Sequence, residues 1–380
     1  MMRVMPGSDS TTRRTLGTAA RVLSALKLDG PLLVGLSLVC CYGLVVLYSA
    51  SGQNWGMVLR AVARLAIGVV AMLALAQLRP QQLRNAAPAI YIVGVVLLII
   101  VEIMGDLGKG AERWLDFGIV RFQPSEIMKL AVPMLCAWYL HERPLPPTLP
   151  TLGVLAAIIL VPAALTFRQP DLGTAILITI GGVLLVIMAG LSVWYIASAA
   201  TIAGIGAWIG WQYLLLDYQK NRVLTFLDPT IDPQGSGYHI IQSQIAIGSG
   251  GVFGKGWMNG SQSQLEYLPE RHTDFIFAVI GEEFGLLGLA ILILLYLFVV
   301  ARALYLASQT QDTFTRLLSA SLALTFFVYV FINTGMVSGL LPVVGVPLPL
   351  VSYGGTSMVT LLASFGILMA LYSHRKLVGS

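Results

Sequence analysis

Leu268-Pro269-Glu270-Arg271-His272-Thr273-Asp274-Phe275-Ile276-Phe277 runs from a polar loop directly into an apolar stretch that continues to about residue 300. Asp274 falls at the changeover. An ionised carboxylate stranded in hydrocarbon is costly, so intramembrane ionisable residues are rare and default to function. A chain that keeps Asp274 at the water–lipid boundary, beside His272 and Arg271, is placed to hold it against a ligand arriving from the membrane. The apolar run behind it sets the fold, because it is one transmembrane helix of many.

Windows of about 20 apolar residues give ten spans, at approximately 31–48, 58–78, 86–104, 122–140, 150–167, 171–189, 193–215, 274–300, 316–338 and 350–372. The composition agrees: 57% of residues are hydrophobic and 11% charged, against about 25% charged in a soluble domain. Mean hydropathy is +0.81. The expectation is an all-α, polytopic integral membrane protein of about ten transmembrane helices, with a long outer loop, 216–273, between helices 7 and 8. Residues 1–30 form an arm without apolar period, expected to be disordered apart from a short surface helix near Ala19–Leu28. A single membrane domain, 31–372, and a tail, 373–380, follow. Tyr48-Ser49-Ala50 resembles a signal cleavage site, but the preceding arm argues for a retained span.

The net charge of +5 is spread over loops and ends, which gives no nucleic-acid footprint. Cys40, Cys41 and Cys136 all lie in apolar runs and read as packing residues, not as a disulfide or metal pattern. With the N-terminus inside, the cytoplasmic segments hold Arg3, Arg13, Arg14, Arg21, Lys27, Arg79, Arg84, Arg143, Arg302, Arg316, Arg375 and Lys376. The outer side holds Arg60, Lys109, Arg113, Arg121 and Arg168. That bias puts both termini in the cytoplasm and loop 216–273 outside.

Within the loop, Asp228-Pro229 through Asp232-Pro233 is turn chemistry more than a cation site. Tyr238 to Ile247, which includes Gln244, mixes apolar and amide residues as an interfacial helix does. Gly248 to Gly256 fails as a phosphate-binding loop, since Ser249 and Gly256 stand where the pattern needs Gly and Ser or Thr. It reads as a flexible hinge.

Charges inside the spans are the second clue. Glu126 and Lys129 are three apart and share a helical face. Either they neutralise each other, or Lys129 faces an anionic head group with Glu126 orienting it. Arg168 and Asp171 bracket Pro170 as a staple or as ligand contacts, and Arg60 and Arg64 read as snorkelling to phosphates. Glu282 falls about 80° around and about 12 Å deeper than Asp274 on a continuous helix, and Glu283 about 180° around. A two-acid glycosidase pair is therefore absent, and structural pairing suits both glutamates. Asn333 and Ser352 to Ser357 suggest close helix contact, and Gly345 to Pro349 reads as a kinked helix entry.

Arg121-Phe122-Gln123-Pro124-Ser125-Glu126, Gln169-Pro170-Asp171-Leu172-Gly173-Thr174 and Gly254-Lys255-Gly256-Trp257, with Leu268–Phe277 and Gly345–Gly355, occur in this order. The combination resembles the shape, elongation, division and sporulation (SEDS) family, and within it the elongation type more than the division-type paralogue. The resemblance implies a peptidoglycan glycosyltransferase that polymerises lipid II at the outer face of the bacterial cytoplasmic membrane. It also implies a class B penicillin-binding protein as partner and membership of the elongation complex (the elongasome). The family's essential loop aspartate falls on Asp274, its buried acid–base pair on Glu126 and Lys129, its motif arginine on Arg121 and its outer-turn aspartate on Asp171. Arg168, His272 and Gln244 complete the expected substrate-binding set. A divalent cation, Mg or Mn, at the pyrophosphate is compatible, but no metal-ligand spacing is present. The rival expectations are a lipid II flippase and a scaffold without catalysis.

Overall fold

The computed structural model describes residues 26–104, 115–116, 121–213, 215, 220, 224–225, 228, 236–265, 267–268 and 270–373. Ten helices match the expected spans. They are α1 (Gly30–Ala50), α2 (Trp55–Ala76), α3 (Pro80–Met104), α4 (Pro124–Leu140), α5 (Leu149–Arg168), α6 (Leu172–Met188), α7 (Val193–Tyr213), α10 (Ile276–Ser308), α11 (Thr313–Val337) and α12 (Thr356–Ser373). Two more, α8 (Ser236–Gly250) and α9 (Ser261–Gln264), lie in the long loop. Seven of the helices are long and apolar enough to cross a membrane among the described residues. α4 and α6 are shorter, at 17 residues each. A two-stranded antiparallel ladder, β1 (Leu115–Asp116) with β2 (Arg121–Phe122), leads into α4. Each strand is only 2 residues long, and the fold is all-α as expected. The N-terminal arm expectation concerns residues that lie mostly outside those described, as do the tail and the turns at 229–235.

In lipid, apolar side chains gain little by exchanging tails for each other, so polar ties and small residues specify which helices meet. Asp29 caps α1 by accepting from the Leu32 amide at 3.0 Å. The same carboxylate takes two bonds from Arg302 of α10, at 2.9 and 2.7 Å, the bidentate geometry that makes such pairs strong. Tyr296 donates to the Pro349 carbonyl at 2.6 Å, and Ser321 of α11 to the Gly181 carbonyl of α6 at 2.8 Å. Gly366 lets α12 lie against α2, because a Cβ there would overlap the backbone of Met72.

Two apolar clusters result. One joins α1, α2, α8 and α10, the other joins α3 to α6, and α11 and α12 feed both, α11 through Phe326 and Tyr329 to the first and Phe314 and Leu318 to the second. The functional cavity lies at their seam.

α10 spans 33 residues but is broken at Gly285, with φ 65° and ψ −162°. The broken turn is repaired by the glycine-rich loop. Lys255 and Gly256 amides donate to the Glu282 and Glu283 carbonyls, both at 3.0 Å. Leu286 and Leu287 amides donate back to Gly251 and Val252 at 2.9 and 3.1 Å. A Cβ at Gly254 would overlap the Glu283 carbonyl. The loop is therefore a backbone graft onto α10, not the hinge expected from its composition.

The glutamates of α10 serve the same graft. Glu282 is fully buried, pairs with Lys255 at 2.8 Å and accepts from the Gln262 and Ser263 amides that open α9. Glu283 accepts from Ser49 of α1 at 2.5 Å. α8 is helical as expected, and it packs on α10 and α11, with Ser243 donating to the Val337 carbonyl at 2.8 Å.

Candidate active site

The site begins where three helices start. α4 opens at Pro124, whose missing N–H suits the first turn, and Gln123 before it donates to Asp171 at 2.8 Å. Asp171 also caps α6, accepting from the Thr174 amide at 3.2 Å. One carboxylate thus fixes the starts of α4 and α6 against each other. One turn into α4, Lys129 pairs with Glu126 at 2.6 Å, with the residues 6% and 5% exposed. Tyr329 of α11 lies beneath the ammonium, 5.2 Å from ring centre to nitrogen. Glu126 Oε2 is buried and carries no hydrogen bond among the described residues.

Asp274 approaches from the other side. It sits in the turn 270–275, outside the membrane helix, which starts at Ile276. The expected span boundary at 274 is thus corrected, and with it the helical-wheel angles that assumed a helix through Asp274. Three consecutive carbonyls pin this turn. His272 accepts from the Tyr353 amide at 2.8 Å, Thr273 from Ser352 Oγ at 2.5 Å and Asp274 from Asn333 Nδ2 at 2.8 Å. The Asp274 side chain accepts no hydrogen bond among the described residues. Gly345 passes in front of it at φ 72°, a left-handed backbone that favours glycine, and a Cβ there would make only ordinary contact with Oδ2, at 3.6 Å. Burial, and then the Glu270 carboxylate nearby, raise the Asp274 pKa to about 6.

Glu126, Lys129, Asp171, Asp274, Tyr329 and Tyr353 line one cavity of about 230 Å³, closed by Gly345–Pro347 and Gly354–Ser357. Three carboxylates against one lysine make its floor acidic. At the rim, Arg60 donates to Tyr353 Oη at 3.3 Å and Arg64 stacks over the same ring at 4.6 Å. Both arginines meet at this one tyrosine ring. No group of three His, Cys, Asp or Glu able to hold a metal ion occurs among the described residues.

Of the expected site residues, Asp274, Glu126, Lys129 and Asp171 converge on the cavity. His272 lies just behind it, edge-on to Tyr353 at 6.1 Å. Arg168 does not join them. It is exposed and pairs with Glu102 of α3 at 3.0 Å, so the staple to Asp171 is also corrected. Gln244 lies off the cavity on α8, donating to the Ser338 carbonyl at 3.4 Å. Arg121 is on β2, but its side chain lies outside the described residues. Sequence reasoning missed Tyr329, Tyr353 and the pinning role of Asn333. The available signal was Tyr329 and Asn333, one helical turn apart in the same membrane span.

The fold and site define a polytopic helical membrane protein that presents a carboxylate and a buried acid–base pair at a helix-start cavity. A family profile described as "Cell cycle protein" (FTSW_RODA_SPOVE) matches residues 30–377. The chain belongs to this family, the SEDS proteins. It is 50% identical over 351 residues to the peptidoglycan glycosyltransferase MrdB of Escherichia coli K12, covering 92% of this chain and 95% of that one. It is 35% identical over 356 residues to the probable peptidoglycan glycosyltransferase FtsW of Geobacter metallireducens, covering 88% and 92%. Among solved structures, it matches a chain from a study of how a peptidoglycan synthase complex coordinates polymerization and crosslinking, with TM-score 0.81 and 31% identity, covering 92% and 98%. It also matches Thermus thermophilus rod shape determining protein RodA, with TM-score 0.70 and 27% identity, covering 92% and 97%.

Proposed function

We propose that this chain is a peptidoglycan glycosyltransferase of the elongation type, which polymerises lipid II on the outer face of the bacterial cytoplasmic membrane. Both termini would then be cytoplasmic, and the partner a class B penicillin-binding protein within the elongation complex. The observation that carries the reading is the Asp274 carboxylate, half-buried without a hydrogen bond among the described residues at the mouth of the cavity. Its pKa of about 6 leaves it mostly ionised at neutral pH and a stronger base than an ordinary aspartate.

The step balances with one carboxylate. Asp274 takes the proton of an acceptor sugar hydroxyl as that oxygen attacks the anomeric carbon of the donor. The bond from that carbon to the pyrophosphate oxygen breaks, and its electron pair leaves on the pyrophosphate. The anomeric centre inverts. Positive charge must meet the leaving group. Arg60 and Arg64 supply it at the rim, and Lys129, held by Glu126, adds to it from inside. A Mg or Mn ion would be one carried in by the pyrophosphate, adding positive charge to the leaving group.

The test is labelled lipid II incubated in detergent with the purified chain and its partner, the glycan products being separated on a gel. Polymer from the wild type and a loss of about 100-fold or more in Asp274→Ala support the enzyme. Transfer of lipid II across liposomes with no polymer in detergent would make the chain a flippase. Loss of polymer only when partner binding weakens would make it a scaffold.

A further inference from the structure

At the opposite end of the bundle lies a larger cavity of about 350 Å³, lined among others by Arg79, Arg84, Gln81, Thr310 and Asp312. Its position follows from the chain path. α2 and α12 leave the Asp274 end and finish here, as does α10, and the α2–α3 and α10–α11 connections form the walls. Arg79 is exposed and Arg84 half-buried, and neither guanidinium has an ion-pair or hydrogen-bond partner among the described residues. The lone acid, Asp312, is engaged in capping α11 through the Thr315 amide at 3.3 Å. One helix start, Pro80 of α3, opens beside the arginines and adds the positive end of its dipole, whereas the start of α11 is already met by the Asp312 carboxylate. Phe314 and Leu371 form the apolar part of the wall.

We infer that this cavity binds the phosphate of an anionic phospholipid in the leaflet away from Asp274. Two unpaired guanidiniums and the N-terminus of α3 recognise a phosphate. The cavity lies at the ends of membrane helices, and basic pockets there are suited to anionic head groups. The polymerisation chemistry uses none of these residues.

The full-length chain in detergent is titrated separately with phosphatidylglycerol, phosphatidylcholine and inorganic phosphate. Lipid retention is followed by native mass spectrometry and folding by the thermal midpoint. Phosphatidylglycerol is expected to be retained and to raise the midpoint. R79Q and R84Q should each weaken its binding roughly five-fold, and R316A, an exposed arginine of α11 outside the cavity, should leave it unchanged. The single variants carry the test if R79Q/R84Q does not fold. Equal retention of phosphatidylcholine, or wild-type binding in both single variants, overturns the inference. An equal midpoint shift from inorganic phosphate at the same concentration also overturns it, because the ligand is then a soluble phosphate and not a lipid.

Discussion

Asn333 holds Asp274 by its backbone: the Asn333 amide nitrogen donates to the Asp274 carbonyl at 2.8 Å and to the Val346 carbonyl at 2.7 Å. One buried side chain of α11 thus ties the carboxylate turn to the glycine-containing segment that closes the cavity. With Ser352 and Tyr353 holding the two preceding carbonyls, the carboxylate is fixed from behind while its own oxygens stay open to a ligand.

Asn333→Ala removes both ties and leaves two carbonyls short of a partner, at a cost of about 1–3 kcal/mol per unsatisfied group. Polymerisation should fall further than stability does, by about 100-fold, because a displacement near 1 Å at the reacting group is enough for that. Rates measured at a temperature where the variant stays folded check it. A wild-type rate would detach Asn333 from the placement of Asp274.

The buried pair separates structure from chemistry. Lys129→Met strands the Glu126 carboxylate and should cost about 3–5 kcal/mol. Adding Glu126→Gln removes the stranded charge, so thermal stability should largely return while lipid II use stays low. Recovery of both together would reduce the pair to a structural role.

These two predictions divide between residues that were legible in the sequence and residues that were not. Glu126 and Lys129 are three apart on one helix, so local geometry brings them together, and Asp274 announces itself by its place at an apolar boundary. Asn333, Tyr353 and Ser352 act through contacts across 59 to 79 residues or more, which no local period encodes. Arg168 was misread for the same reason, its spatial neighbour being Glu102 and not the adjacent Asp171. The glycine run 248–256 read as a hinge because its partner, the broken turn at Gly285, lies about thirty residues downstream. The last span was expected to begin at 350. Leu350 instead has φ 61°, and the chain turns through Ser352 to Gly355, whose backbone and side chains serve the site, before α12 starts at Thr356.

The raised pKa of Asp274 has a stability consequence. Its carboxyl ionises near 3.8 in the unfolded chain and near 6 in the folded one. The contribution to stability is complete below pH 3.8 and lost as pH rises through about 6. Asp274→Asn, which cannot ionise, should therefore melt above the wild type at pH 7.5, with the gap closing near pH 4. Equal midpoints at both pH values would mean the carboxyl is not buried as described.

The central claim is that the Asp274 carboxylate removes the acceptor proton, and the pH dependence of the initial polymerisation rate at subsaturating lipid II, where kcat/KM follows the ionisation of the free enzyme, tests it most directly. The wild type should gain close to ten-fold per pH unit below about 6 and level off above it, following the ionisation of this group. Asp274→Asn should retain only a trace of activity without that rise. A wild-type rate that stays flat from pH 5 to 7, or an Asp274→Asn variant with the wild-type profile, would contradict the account.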